Sequence, residues 1–132
     1  MAQQKRKRFA EFSSFSNTVE KDVSFKGNWN SAFFQNDFPI CLELACGKGE
    51  YTIGLAEIFS NQNFIGVDIK ANRMWKGASY ALENKLSNVG FLRTQIDHIE
   101  NYFGHSEVDE IWITFPDPQH KKARTRLTNP FF

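Results

Sequence analysis

The sequence lacks a long apolar run, since no stretch approaches the roughly 20 residues that a membrane-spanning helix needs. A basic cluster near the N-terminus has no apolar stretch behind it, so we expect no secretory signal. Cysteine is scarce. Because Cys41 and Cys46 fall on one predicted strand and its turn, we expect no disulfide and predict a reducing, cytoplasmic location. The three histidines show no metal-ligand spacing, so we expect no metal.

The sequence does contain enough apolar residues for one globular domain, with 132 residues of which 41% are hydrophobic. Its charge is sorted along the chain. Residues 9–120 hold eight basic residues against all fifteen acidic ones, a net charge of −7. This sorting predicts an anionic partner met by both ends, although for the N-terminal cluster a solvated tail is an equal alternative. The terminal clusters are Lys5, Arg6, Lys7 and Arg8, and Lys121, Lys122, Arg124 and Arg126.

Apolar runs and helical periodicity alternate after residue 38. Strands are predicted at residues 40–45, 64–67, 89–93 and 108–115, the last apolar enough to be covered on both faces. Helices are predicted at residues 51–60 and 71–86, with a brief one at 96–103. Such alternation indicates an α/β fold with a parallel sheet in residues 39–132. We interpret residues 1–38 as a basic and aromatic arm with one short helix.

Four loops follow the four predicted strands. In a parallel sheet with right-handed crossovers these loops meet at one edge, which is where such sheets bind ligands. The loops carry Glu43 with its glycines, Asp68, Gln95 and Asp117.

The first of these loops is the turn of the LELACGKGE stretch. It lacks the glycine spacing and the Lys-Ser/Thr pair of a phosphate-binding loop, and Ala45 stands where a dinucleotide fingerprint has its first glycine. A pyrophosphate here would face Glu43 and Glu50. S-adenosylmethionine, which carries a sulfonium and an ammonium, suits a turn lined by acids. We therefore predict that Gly47 and Gly49 let the backbone approach this cofactor.

The next two loops supply polar groups that suit an adenosyl ligand. Asp68 ends the second strand, where an acid can accept from both ribose hydroxyls, although a helix-capping role stays open. Gln95 ends the third strand, where its amide could pair with the adenine edge.

The fourth loop carries the most specific motif, Pro116-Asp117-Pro118, followed by a basic stretch and Arg126-Leu127-Thr128. Together with Glu43, the two glycines of the turn and Gly66-Val67-Asp68, it resembles the bacterial tRNA (guanine-N7)-methyltransferases over about residues 40–128. The resemblance implies a Rossmann-like fold with the four strands in the order 3-2-1-4, S-adenosylmethionine as cofactor and tRNA as partner. It implies further strands beyond this chain. The predicted cofactor residues are Glu43, Gly47, Gly49, Asp68, Gln95 and Asp117.

Departures from the family accompany this resemblance. Gln119 stands where the family usually has Trp, and Gln95 stands where it usually has an acid, so Asp97 is an alternative for the adenine contact. The chain also stops where residues 128–132 look like the start of a helix, which leads us to expect a fragment of a longer domain.

Asp117 is the predicted catalytic residue, because a carboxylate near the purine can stabilise the charge that grows as N7 is methylated. Lys121, Lys122, Arg124 and Arg126 are the predicted phosphate contacts, with residues 5–8 as an additional flexible arm. Two alternatives stay open at this point. They are a methyltransferase acting on an exocyclic amine, and an RNA-binding module that has lost methyl transfer.

Overall fold

In the computed structural model, which describes residues 2–113, a parallel sheet forms the centre of the molecule. Its five strands run in the order β1-β4-β3-β2-β5. The strands are β1 (Thr18–Glu20), β2 (Ile40–Leu44), β3 (Asn63–Asp68), β4 (Val89–Arg93) and β5 (Glu110–Trp112). The four strands predicted from the sequence therefore have the expected order 3-2-1-4, and β1 adds a fifth at the edge beside β4.

Three α-helices connect or flank these strands. They are α1 (Ala2–Ser14), α2 (Glu50–Ile58) and α3 (Ala71–Glu83). A π-helical turn spans Trp29–Phe34, and a 3₁₀ helix spans Ile96–Asn101. None of the helices within residues 2–113 is long and apolar enough to cross a membrane.

The segment before residue 39 is more structured than the sequence predicts. Instead of a flexible segment with one short helix, it forms the 13-residue α1, the edge strand β1 and the π-helical turn. Phe12 and Trp29 from this segment are buried in the core. The division of the chain into residues 1–38 and 39–132 stays a prediction.

Alternating residues of the strands feed two apolar layers, as the pleat of a sheet requires. Cys41, Phe64 and Phe91 point toward α1, α2 and α3, where they pack with buried residues such as Met74. Leu42, Ile65 and Leu92 point the other way and pack with a second group that includes Trp29, Tyr102 and Phe103.

Glu107 fixes the second layer to the N-terminal segment. One carboxylate oxygen accepts from the N–H groups of Gly27 (2.7 Å) and Gly104 (2.8 Å), and the other accepts from the N–H of Trp29 (3.0 Å). The indole of Trp29 in turn donates to the carbonyl of Tyr102 at 2.7 Å. A single carboxylate thus satisfies three backbone donors in segments almost 80 residues apart.

The last described strand differs from its prediction. The sequence predicts that residues 108–115 are covered on both faces, but in β5 the side chains of Glu110 and Trp112 are exposed, Trp112 by 43%. Among the described residues β5 is an edge strand, paired only with β2. Within residues 2–113, one side of β5 therefore has no neighbouring strand.

Two helical glycines allow a matched test of packing. A Cβ at Gly77 would lie 2.6 Å from the carbonyl oxygen of Lys48, whereas the described residues place no heavy atom within 4 Å of a Cβ at Gly54. We expect Gly77→Ala to destabilise the fold by about 1–3 kcal/mol through overpacking. Gly54→Ala should stabilise it by about 0.5–1 kcal/mol through helix propensity.

Urea unfolding of the two variants beside the parent protein measures both effects. Equal midpoints for Gly77→Ala and Gly54→Ala would contradict the close approach of α3 to the turn that precedes α2.

Candidate functional site

The turn between β2 and α2 has an alternating backbone. Ala45, Gly47 and Gly49 all have positive φ, at 56°, 59° and 77°. Such angles suit glycine and are costly for alanine, by about 1–3 kcal/mol, so Ala45 is the strained member of the set. The N–H of Cys46, which donates to the carbonyl of Val67 at 3.0 Å, fastens the turn to the neighbouring strand. The three positions with left-handed backbone are therefore the same three, two residues apart, that the sequence pattern singles out.

Asp68 closes this turn from the end of β3. One of its carboxylate oxygens accepts from the N–H of Gly47 at 2.9 Å. The other accepts from the N–H groups of Ile69 (2.7 Å) and Lys70 (3.1 Å), which lead into α3. Asp68 therefore joins the turn to the loop that leads into α3. It does not cap that helix, because the N-cap position is Lys70 and no side chain bonds to it as a cap.

Glu43 lies in β2, just before the turn, and its side chain is buried. The hydroxyl of Thr52, itself buried in α2, donates to its carboxylate at 2.5 Å. Sequence reasoning missed Thr52, because a threonine in the first turn of a helix carries no signal of a partner on the preceding strand.

The two carboxylates act together on the thiol of Cys46. Burial, followed by the negative charges of Asp68 and Glu43, raises the pKa of Cys46 well above its ordinary value. Both carboxylates are therefore close enough to disfavour a thiolate at Cys46. The turn is thus surrounded by negative charge, and one of its N–H groups already has a carboxylate as its acceptor.

The two glycines of the turn serve different purposes. A Cβ at Gly49 would lie 2.6 Å from the ring of Phe91, so its missing side chain makes room for the core. At Gly47 the described residues place no heavy atom within 4 Å of a Cβ. The open approach that a ligand needs is therefore found over Gly47, whereas a ligand contact by Gly49 stays a prediction.

The third strand end brings polar groups to the same edge. Gln95 is exposed and precedes the 3₁₀ helix, and Asp97 is exposed in the first turn of that helix. The N–H of Thr94 donates to the backbone carbonyl of Asp68 at 3.0 Å, which joins the ends of β3 and β4. Glu43, Gly47, Asp68 and Gln95 thus lie along one edge, as predicted.

The remaining predicted site residues lie outside the described residues. They are Asp117, Lys121, Lys122, Arg124 and Arg126. Within residues 2–113 no group of three His, Cys, Asp or Glu side chains could hold a metal ion.

Comparison with known proteins gives two sequence findings. The model of a family described as "Putative methyltransferase" matches residues 37–132. The tRNA (guanine-N(7)-)-methyltransferase of Bacteroides thetaiotaomicron is 49% identical over 140 aligned positions, covering 100% of this chain and 56% of that protein. The chain therefore spans about half the length of this curated relative.

Solved structures give the fold. An antibiotic-related methyltransferase has a TM-score of 0.62 and 21% identity, covering 75% of this chain and 51% of its own. PKMT2 from Rickettsia typhi in complex with AdoHcy has a TM-score of 0.58 and 18% identity, covering 71% of this chain and 19% of its own. The expected Rossmann-like methyltransferase fold is thereby confirmed.

The pKa values of the two cysteines lead to a test of the site. Burial and the nearby Glu110 raise the pKa of Cys41 to about 12, and burial with the charges of Asp68 and Glu43 raises the pKa of Cys46 well above its ordinary value. Because only the thiolate reacts, we expect both thiols of the folded protein to react with Ellman's reagent at pH 8 at least ~100-fold more slowly than a free cysteine.

Protein in 6 M guanidinium provides the control for this measurement, since both thiols should then react at the rate of free cysteine. A rapid phase from Cys46 in the folded protein would contradict its burial near Asp68 and Glu43.

Proposed function

Because the chain belongs to this methyltransferase family, we propose that the protein transfers a methyl group from S-adenosylmethionine to N7 of a guanosine in tRNA. The similarity to the Bacteroides tRNA (guanine-N(7)-)-methyltransferase and the resemblance carried by Asp117 between its two prolines support this reaction. A cytoplasmic location follows for a protein that acts on tRNA.

One observation carries the choice of cofactor, namely the carboxylate of Asp68 on the N–H of Gly47. In nucleotide-binding turns such N–H groups receive phosphate oxygens. Here the acceptor is already an anion, and the buried Glu43 adds a second negative charge. A pyrophosphate would be repelled at this position, whereas a sulfonium and an ammonium would be attracted.

The residues present therefore fit S-adenosylmethionine. Gly47 provides the open approach, and Glu43 and Asp68 provide acceptors for cationic and hydroxyl groups. Gly49 and Gln95, with Asp97 as the alternative to Gln95, complete the proposed set within the described residues, and Asp117 belongs to it by resemblance. When bound, the cofactor supplies an electrophilic methyl group.

The protein's part in the chemistry is mainly alignment. Guanine N7 has an in-plane lone pair and needs no base to remove a proton before it attacks the methyl carbon. Holding two reactants in line lowers the activation free energy by several kcal/mol. Complete preorganisation can contribute roughly 7–11 kcal/mol. Asp117 stabilises the positive charge that the purine acquires, and Lys121, Lys122, Arg124 and Arg126 bind phosphates.

Nucleoside analysis tests this function directly. The full-length protein, incubated with an unmodified tRNA transcript and S-adenosylmethionine, should produce 7-methylguanosine. A methylated exocyclic amine would identify the other class of methyltransferase. Binding of tRNA without heat on titration with S-adenosylmethionine would identify a non-catalytic RNA-binding module.

Asp117→Ala in the full-length protein tests the catalytic role. We expect kcat to fall about 100-fold, because a charge that stabilises only the transition state is lost. The dissociation constant of S-adenosylmethionine, measured by calorimetry, should change far less. Unchanged turnover would rule out this role for Asp117.

Thr52→Val and Thr52→Ser test whether Thr52 positions Glu43. Valine keeps the shape but leaves the buried carboxylate without one donor, so we expect S-adenosylmethionine to bind about 5- to 20-fold more weakly, as the loss of a hydrogen bond to a charged group predicts. Serine keeps the donor and should restore binding. Equal affinity in both variants would contradict the positioning role.

A further inference from the structure

The basic N-terminal cluster lies on an ordered helix. Residues 2–10 of α1 contain four basic side chains and no acidic one. Lys5, Arg6 and Lys7 are exposed, and the one ion pair formed by any of them within the described residues is a loose contact of 3.9 Å between Lys7 and Glu11. This charge is therefore available to an external anion.

Three contacts hold α1 in place directly behind that charge. The guanidinium of Arg8 lies 4.7 Å from the ring centroid of Trp75 in α3, and the indole of Trp75 donates to Glu11 at 3.1 Å. Phe12 is fully buried under the sheet. The basic turn of α1, which comprises Lys5, Arg6 and Lys7, is thus part of a docked helix and not of a flexible tail.

The direction of α1 shows where the basic turn lies. Arg93 ends β4, donates to the carbonyl of Ile69 at 2.9 Å and stacks 4.8 Å from the ring centroid of Phe9. Phe9 therefore lies at the carboxyl edge of the sheet. Asn17, beyond the other end of α1, bonds to Ala78 and so lies deeper along α3. The N-terminal end of α1 therefore extends past the carboxyl edge of the sheet.

The periodicity of α1 gives the orientation of Lys5. Lys5, Phe9 and Phe12 are spaced i, i+4 and i+7, so they share one face of the helix. That face is buried at Phe12, 44% exposed at Phe9 and exposed at Lys5. Lys5 therefore lies beyond the end of β4, at the carboxyl edge of the sheet that also carries Asp68 and Gln95.

We propose that Lys5, Arg6 and Lys7 in α1 form a fixed clamp for phosphates of the substrate tRNA at the carboxyl edge of the sheet, on the side of β4. This inference rests on the proposed function and adds a second phosphate-binding surface, built on the opposite end of the chain from Lys121 and Arg126. A docked helix loses little conformational freedom on binding, so each phosphate contact contributes more than a contact from a flexible tail would. Phosphate contacts do not depend on the nucleotide sequence of the tRNA. The clamp therefore orients the tRNA but does not distinguish one tRNA from another.

Two double variants of the full-length protein test the clamp. Lys5→Gln with Arg6→Gln removes two charges at the carboxyl edge and keeps good helix formers. Lys26→Gln with Lys85→Gln removes two exposed charges at the opposite edge. Lys26 is next to Gly27, which bonds to Glu107 in the loop before β5, and Lys85 lies in the loop before β4. Steady-state kinetics with tRNA are measured between 50 and 200 mM salt.

The clamp predicts that Lys5→Gln with Arg6→Gln raises KM for tRNA about 10-fold without changing kcat or the KM for S-adenosylmethionine. It also predicts a flatter dependence of log KM on log salt, by about 1.4–1.8 for two lost contacts. The matched control should change neither quantity. If both variants behave alike, the clamp is overturned while the methyltransferase function stands. If the parent protein forms no 7-methylguanosine, the proposed function itself fails.

Discussion

The bond between the N–H of Gly47 and the carboxylate of Asp68 is the contact on which the site depends. It joins the turn after β2 to the end of β3. It also occupies a backbone N–H group that would bind phosphate in a nucleotide-binding turn. With the buried Glu43 beneath it, the edge acquires a negative potential. A turn between a strand and a helix, a position that often binds phosphate, is thereby suited to a cation.

The ring of Phe91 gives this edge its packing. Gly49, Gly66 and Gly77 each approach the ring so closely that a Cβ would lie within 3.0 Å of it. Three separate elements, the turn, β3 and α3, thus share one aromatic side chain at the centre of their contact. Because tightly packed interiors respond to even one added methyl group, the geometry of the turn is coupled to the core.

The sequence predicts most of the sheet and the line of polar strand ends. The central strands β2, β3 and β4 are short apolar runs bounded by polar loops, so their existence follows from hydrophobicity alone. The edge strand β1 could not be found in the same way, because three residues carry no period and their pairing with β4 is set by distant contacts. The role of Glu107 was equally hidden, since its three donors are backbone groups that any sequence supplies. At the turn, the pattern of glycines was visible in the sequence. Which glycine makes room for the core and which leaves open space depends on the position of Phe91.

The pairing of β1 with β4 has a consequence for the order in which the molecule assembles. Thr18 is aligned with Phe91, so the first strand of the chain has no partner until more than seventy later residues have left the ribosome. The pairing of β1 with β4 therefore forms late, since contacts of high sequence separation form slowly. The same dependence applies to α1, which packs on α3 and so has no partner until residues 71–83 are also present.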